Sequence, residues 1–168
     1  PLFVLTAIIF ALFSYSQPKP PSLTLEDIYA SRTYSQKYFG PVRWMKDNKG
    51  YSTLERNADL GGTDIIRYDA QSGQRTILVS AKQLIASGQS KPLNIENYEW
   101  SDDDSQLLIF TNTKRVWRYN TRGDYWVLNL KTGKLQQVGQ SMESSSMMFA
   151  KFSPDGSRVA YVSKLNIY

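Results

Sequence analysis

Residues 114–122 read KRVWRYNTR and place four cations beside two aromatic rings. An arginine in such a stretch can act on a ligand without being a base, because its guanidinium is permanently charged and presents several donors in a rigid fork. Four interpretations are open: a nucleic-acid patch, an ion-paired strand, one side of a substrate site, and, with Gly123 and Asp124, an RGD adhesion tripeptide.

The charge distribution argues against a nucleic-acid partner. The chain has 20 basic and 15 acidic residues, a net charge of +5, and its basic residues are scattered and never run longer than two. A dedicated nucleic-acid binder concentrates its cations on one face or one helix. The RGD tripeptide is short enough to occur by chance. We expect Arg122 and Gly123 to close a turn and Asp124 to begin a strand.

Two residue types that commonly do chemistry are missing from the 168 residues, which contain no His and no Cys. A Ser-His-Asp triad, a Cys-His dyad and a thiolate metal site therefore cannot be built within them. Asp102, Asp103 and Asp104 resemble a calcium-binding run, but they lack the Gly and the distal Glu of an EF-hand loop, and turn chemistry explains them better. We expect no cofactor and no metal.

The first 16 residues have the character of a removable targeting segment. Leu2 to Phe13 form an apolar run of twelve residues, shorter than the ~20 that a membrane span needs, and Ser14 and Ser16 are small residues spaced as at a cleavage site. We predict a signal peptide remnant over residues 1–16; an uncleaved anchor and a buried core segment are the alternatives. Because the chain opens at Pro1 rather than Met, we expect it to be truncated at its start.

Residues 17–40 are predicted to be a Pro-rich spacer that carries a short helix. Thr24, with Asp27 three residues later, resembles a capping box and predicts a helix from Leu25 to Ser31. A leader of this kind predicts export, and we expect a periplasmic or cell-surface location in a bacterium.

Three stretches repeat one pattern: WMKDNKGYSTL from Trp44, WSDDDSQLLIF from Trp100 and FSPDGSRVAYV from Phe152. Each begins with a large aromatic residue, passes through a polar turn with an Asp at the same offset, and returns as an apolar strand seven residues on. The aromatic residues are 56 and 52 positions apart. A second register agrees, because DIIRYDAQSG and DYWVLNLKTG are offset by 60 positions.

A meander of four strands with a period near 50 residues indicates a β-propeller. We predict an all-β chain in which residues 41–168 hold about two and a half four-stranded blades. A β-sandwich is the alternative, although it does not predict two registers in step. Since a blade buries its faces only against its neighbours, we expect the native protein to continue past Tyr168 and the isolated chain to be marginally stable or aggregation-prone.

Four stretches of the chain, taken in order, resemble a known protein family. The ordered series LTLEDIYA, YFGPVRWMKD, YEWSDDDSQLLIFTNTKRVWRYNTRGDYWVLNL and AKFSPDGSRVAYVSKLNIY resembles the N-terminal part of the dipeptidyl peptidase IV family, serine exopeptidases of the prolyl oligopeptidase clan. The resemblance covers nearly everything from Leu23 onward, and its sharpest part is VWRYN before DYWVLNL. WSxD and FSPDG alone occur in many propellers.

The resemblance implies an eight-bladed propeller followed by an α/β-hydrolase domain, which carries the G-x-S-x-G elbow and the rest of the triad. Family members remove X-Pro or X-Ala dipeptides from peptide N-termini. They bind the free amino group through a Glu pair, and because this chain has no Glu-Glu pair, we expect that element beyond Tyr168. The implied partners are peptides with Pro or Ala at the second position, with no nucleic acid, and a second copy in a homodimer. Contact with a membrane is expected only through an uncleaved anchor.

The resemblance also separates one cation from the rest of KRVWRYNTR. Arg118 matches a family arginine that reaches into the active-site cavity and hydrogen-bonds a carbonyl oxygen of the bound dipeptide, which makes it the one predicted substrate-binding residue. We expect Trp117 and Tyr119 to pack against neighbouring blades and the other three cations, Lys114, Arg115 and Arg122, to be solvated. The fragment alone is predicted to be inactive. The alternative function is a non-catalytic, exported, TolB-like propeller that binds a protein partner.

Overall fold

A computed structural model of the chain describes residues 22–31, 33–36 and 40–168. The chain divides into two compact units, Pro1–Tyr38 and Phe39–Tyr168. The predicted signal peptide, residues 1–16, lies outside the described residues.

The described part of the first unit contains the predicted helix. Helix α1 spans Leu25–Tyr29. Thr24 Oγ1 accepts a hydrogen bond from the amide of Asp27 at 3.1 Å, and the Asp27 carboxylate accepts one from the amide of Thr24 at 3.2 Å. The capping box is therefore confirmed, because each side chain satisfies an amide that the first helical turn leaves unpaired. The helix ends two residues before the predicted Ser31, whose amide bonds to the Glu26 carbonyl at 2.8 Å.

None of the helices among the described residues combines the length and the apolar composition of a membrane span.

The second unit consists of three antiparallel meander sheets. The first sheet contains four strands in sequence order: β1 (Arg43–Trp44), β2 (Gly50–Asn57), β3 (Gly62–Asp69) and β4 (Arg75–Val79). The second contains β5 (Asn97–Trp100), β6 (Gln106–Val116), β7 (Tyr119–Asn129) and β8 (Leu135–Gln137). The third contains β9 (Met148–Phe152), β10 (Val159–Ser163) and β11 (Asn166–Ile167). A 3-10 helix, Ala81–Leu84, lies between β4 and β5.

The repeat seen in the sequence corresponds to the first turn of each sheet. Trp44, Trp100 and Phe152 end β1, β5 and β9. In the second sheet, Asp103 Oδ1 accepts hydrogen bonds from Ser105 N at 3.1 Å and from the hydroxyls of Ser101 and Ser105, each at 2.7 Å. These hydrogen bonds hold the pKa of Asp103 at about 2, and the bond from the Ser101 hydroxyl has the largest effect.

The corresponding carboxylate of the third sheet has the same role. Asp155 accepts hydrogen bonds from the hydroxyl of Ser153 at 2.5 Å and from the amide of Ser157 at 3.1 Å. These two residues hold the pKa of Asp155 at about 2. Asp47, in the first sheet, accepts from the amide of Lys49 at 2.9 Å. The repeated Asp therefore ties each turn to its own backbone, as Asp side chains do in tight turns.

The sheets pack face to face and bury two apolar clusters. One lies between the first and second sheets and contains Ile65, Val79, Leu84, Leu93, Ile95, Tyr98, Leu107, Ile109 and Leu128. The other lies between the second and third sheets and contains Leu108, Tyr125, Met147 and Ala150. Both faces of the second sheet are apolar because a neighbouring sheet covers each of them. This is the arrangement of propeller blades and not of a two-sheet sandwich. The predicted all-β, partial β-propeller fold is confirmed, with four, four and three strands; the number of blades in the whole protein stays a prediction.

The blades have two different ends. At one end the short turns meet, and Lys46 forms an ion pair with Asp102 at 2.5 Å. At the other end the connections between successive blades meet the β6–β7 hairpin, where Gly123 exchanges backbone hydrogen bonds with Met147 at 3.0 and 3.2 Å. The second end carries the KRVWRYNTR stretch.

Candidate functional site

The β6–β7 hairpin extends well beyond the sheet that it belongs to. Strand β5 pairs only with Leu107–Phe110 of β6, and β8 pairs only with Trp126–Leu128 of β7. The remaining part of the hairpin, residues 111–124, is a ribbon of two strands joined by the two residues between Val116 and Tyr119. We call residues 111–124 the arm.

The arm differs from the sequence-based expectation in where its strand begins. The third strand of this blade was expected to start at Asp124, but β7 begins at Tyr119, and Arg122, Gly123 and Asp124 all lie inside it. The predicted turn at Arg122 and Gly123 is wrong. The strand was placed in the sequence by its alternation of apolar residues, whereas backbone pairing continues without such alternation. The register shifts on both sides of Lys114, and such bulges re-aim the side chains that follow them.

Asp124 lies at the root of the arm and holds it to the connection between β8 and β9. Its side chain is buried, with 7% of the residue's surface exposed. One oxygen accepts from the amide of Ser145 at 2.7 Å. The other accepts from Asn112 Nδ2 at 2.7 Å and from the hydroxyl of Ser144 at 3.3 Å. A carboxylate buried in this way is not offered to an adhesion receptor.

Two further bonds complete this root. The hydroxyl of Ser145 donates to the carbonyl oxygen of Asn112 at 2.6 Å, and Asn112 Nδ2 also donates to Ser144 Oγ at 2.8 Å. We call Asn112, Asp124, Ser144 and Ser145 the root cluster. Its hydrogen bonds join residues that lie 12 to 33 positions apart along the chain, and no signal in the sequence connects them.

The other side of the arm is tied to the connection between β4 and β5. Thr111 Oγ1 donates to the carbonyl oxygen of Asn94 at 2.7 Å. Asn120 Nδ2 donates to the carboxylate of Glu96 at 2.9 Å. Below these contacts the rings of Phe110 and Tyr125 stack with centroids 4.7 Å apart, and burial raises the pKa of the Tyr125 phenol. The arm is therefore held from both sides and from below.

The tip of the arm carries the predicted substrate-binding residue. Arg118 is one of the two turn residues and is exposed. The other, Trp117, has φ +60° and is 94% exposed, and Tyr119 is 73% exposed. The expectation that Trp117 and Tyr119 pack against neighbouring blades is wrong for the described residues, because the turn projects both rings away from the three sheets.

The cations of the arm form no ion pair within the part of the chain that the structure describes. Lys114, Arg115, Arg118 and Arg122 are all exposed, as expected for the three that were predicted to be solvated. The ion pairs among the described residues join Lys46, Arg67, Arg75 and Lys151 to carboxylates, and none of them includes a cation of the arm. Arg118 therefore presents its donors to whatever approaches the tip.

The three neighbouring aspartates are not gathered at one point. Asp102 pairs with the Lys46 ammonium, Asp103 accepts from its own turn, and Asp104 accepts from the amide of Lys46 at 3.0 Å. Over residues 22–31, 33–36 and 40–168, no three His, Cys, Asp or Glu side chains are arranged to hold a metal ion. The aspartates are accounted for by contacts between blades and within turns.

The sequence of the blade that carries the arm is similar to that of a known protein family. Residues 101–168 match the sequence model described as "Dipeptidyl peptidase IV (DPP IV) N-terminal region". The resemblance to that family is thereby confirmed. The match begins at the second blade's first turn and includes the whole arm.

Related proteins extend the similarity toward the N-terminus. The chain is 28% identical over 148 residues to dipeptidyl aminopeptidase B of Saccharomyces cerevisiae, covering 84% of this chain and 16% of that protein. It is 29% identical over 147 residues to prolyl endopeptidase FAP of Homo sapiens, covering 88% of this chain and 17% of that protein. The crystal structure of Porphyromonas gingivalis dipeptidyl peptidase 4 is similar with a TM-score of 0.69 and 25% identity, over 89% of this chain and 20% of that one. The chain thus spans about a sixth to a fifth of the length of these relatives.

Proposed function

We propose that this chain is the N-terminal propeller part of an exported serine exopeptidase of the dipeptidyl peptidase IV type, which releases X-Pro or X-Ala dipeptides from peptide N-termini. The observation that carries the proposal is the position of Arg118, exposed at the tip of an anchored arm in a chain similar to the N-terminal region of that family. The names of the curated relatives, a dipeptidyl aminopeptidase and a prolyl endopeptidase, support a peptidase as the parent protein.

The proposed role of Arg118 is to orient the peptide, not to react with it. A guanidinium donates hydrogen bonds but does not lose its proton in a protein, so Arg118 is not a general base. Donation to a carbonyl oxygen of the N-terminal dipeptide fixes the scissile bond relative to a nucleophile held elsewhere in the protein. The nucleophile and its base are proposed to lie outside these 168 residues, which contain no His.

The test is kinetic and uses the full-length protein. Loss of one hydrogen bond to a charged donor removes about 1.5–3 kcal/mol, so Arg118→Ala should lower kcat/KM for a Gly-Pro chromogenic substrate by about 10- to 150-fold. Arg118→Lys should recover only part of this loss, because an ammonium lacks the planar fork. Arg122→Ala is the matched control, since it removes an exposed cation of the same arm and should leave kcat/KM within about twofold.

Two outcomes would contradict the proposal. Wild-type kinetics in Arg118→Ala would remove the substrate-binding role. Absence of dipeptide release by the full-length wild type, combined with capture of a folded protein ligand by the propeller, would favour the non-catalytic, TolB-like alternative.

The remaining parts of the proposal concern the protein around this chain. We propose that residues 1–16 direct export, to the periplasm or cell surface of a bacterium, and that the full-length protein is a homodimer. N-terminal sequencing of the exported protein distinguishes a cleaved leader from a retained anchor, and sedimentation equilibrium gives the oligomeric state. The 168-residue chain alone is expected to release no dipeptide; measurable turnover by it would show that catalysis does not need the proposed hydrolase domain.

A further inference from the structure

The orientation of the arm depends on contacts outside its own two strands. Beyond Phe110 and Tyr125 neither β5 nor β8 pairs with the arm, and its one backbone bridge to another segment among the described residues joins Gly123 to Met147 at the root. An isolated two-stranded hairpin is marginally stable in water. The side chains of the tip, Trp117 and Tyr119, are exposed and make no apolar core of their own. The direction of the arm therefore depends on side contacts, which are those at its root and, farther out, the bond from the exposed Asn120 to the exposed Glu96.

We propose that Asp124, through the root cluster, is a positioning residue for Arg118. This inference rests on the proposed function, because it assigns Asp124 the task of holding the arginine that orients the peptide. Asp124 does not touch the tip. It is buried and accepts three hydrogen bonds, from Ser145 N, Asn112 Nδ2 and Ser144 Oγ. These bonds join both strands of the arm to the connection that leads into the next blade.

The geometry of the root cluster suits this task. Its partner residues are held in uncommon backbone conformations, Asn112 with φ +46° and Ser145 with φ +57°. Left-handed residues of this kind persist where surrounding contacts over-determine them. Here the contacts close a ring: Asp124 to Ser145, Ser145 to the Asn112 carbonyl, and Asn112 back to Asp124. A closed ring resists rotation better than a single bond would, because no member can move without breaking two contacts.

The length of the arm explains why a root contact matters at the tip. Arg118 precedes Asp124 by six residues, and at about 3.3 Å per residue this is a lever of about 20 Å. A tilt of about 3° at the root then moves the tip by about 1 Å. A misplacement of about 1 Å can cost about a hundredfold in rate when the displaced group orients a substrate.

The experiment is a double-mutant cycle in the full-length protein. Asp124→Asn replaces one of the two acceptor oxygens by an amide donor, so at most one side of the group still accepts a hydrogen bond. We expect it to lower kcat/KM for a Gly-Pro substrate by about 10- to 100-fold. In the Arg118→Ala background the same substitution should have no further effect, because the group that it positions is gone. Should Asp124→Asn not fold, Asn112→Gly replaces it, since glycine accepts the positive φ and removes only the side chain.

A second readout separates positioning from general destabilisation. Hydrogen exchange should accelerate about tenfold or more in peptides covering residues 111–124 of Asp124→Asn and stay unchanged in those covering β2 and β3. Asp155→Asn is the matched control: it removes a hydrogen-bonded carboxylate from a turn at the opposite end of the blades. We expect it to leave exchange in the arm and kcat/KM unchanged.

The outcomes distinguish the two proposals. Equal losses from Asp124→Asn with and without Arg118 would show a purely structural role and overturn the inference while the role of Arg118 stands. A normal kcat/KM in Asp124→Asn beside a defective Arg118→Ala would overturn it in the same way. A normal kcat/KM in Arg118→Ala would overturn the substrate-binding role of Arg118 and this inference with it, whereas only the absence of dipeptide release by the wild type would overturn the proposed peptidase function.

Discussion

Removal of the hydroxyl of Ser52 should open the contact between the first two blades. Ser52 is fully buried in β2, and its Oγ accepts a hydrogen bond from Trp100 Nε1 at 2.8 Å. The same oxygen lies 3.0 Å from the hydroxyl of Tyr98. Trp100 and Tyr98 belong to β5, so one small side chain satisfies two polar groups of the neighbouring blade. Burial raises the pKa of Tyr98, so its hydroxyl stays protonated and can donate.

The size of the effect follows from the two groups that Ser52→Ala would leave unpaired. A buried donor without a partner costs about 1–3 kcal/mol. Tyr98 is 2% exposed and Trp100 is only half-buried, so we expect about 2–3 kcal/mol for the phenol and at most about 1 kcal/mol for the indole, which water can reach. The sum is about 2–4 kcal/mol of lost local stability.

Hydrogen exchange in the full-length protein measures this locally. Where exchange reports the opening equilibrium, 2–4 kcal/mol corresponds to about 30- to 1000-fold faster exchange in peptides covering β2 and β5. The double variant Ser52→Ala/Tyr98→Phe should be destabilised by about 1–2 kcal/mol less than the sum of the single variants, because it no longer contains the orphaned hydroxyl. The reasoning is refuted if Ser52→Ala accelerates exchange less than about threefold or if the two substitutions are additive.

Two further predictions concern the arm and the turns. Gly123→Ala should cost about 1–3 kcal/mol by overpacking, because its new Cβ would meet the ring of Phe110 and lie 2.7 Å from the carbonyl oxygen of Thr111; a melting temperature equal to wild type would contradict it. Asp155→Asn should lower thermal stability at pH 7 but not near pH 2. The native pKa of Asp155 is depressed to about 2, so its stabilisation is present above its ordinary pKa of about 3.9 and is lost as the pH falls from there toward 2. Melting curves from pH 7 to pH 2 that differ by a constant amount between Asp155→Asn and wild type would show that the carboxylate's ionisation is not what stabilises the turn.

The sequence by itself determined the blade repeat and the capped helix. Trp44, Trp100 and Phe152 end their strands as expected, and Asp103 and Asp155 bond to residues two positions away. These features are local: an aromatic strand end, a turn closed by its own carboxylate and an alternating strand all lie within about a dozen consecutive residues, so spacing alone specifies them. The propeller fold could be predicted because several such units recur at a nearly constant spacing.

Only the tertiary structure decided the form of the arm. The sequence placed a turn at Arg122 and Gly123, whereas the ladder between β6 and β7 continues to Val116 and Tyr119. That continuation depends on backbone pairing and on contacts from other connections, such as Asp124 with Ser145, which lie 21 positions apart. The exposure of Trp117 likewise depends on where the ribbon leaves the sheet. A pattern within one strand carries no record of such partners, because they are brought together only when successive blades pack.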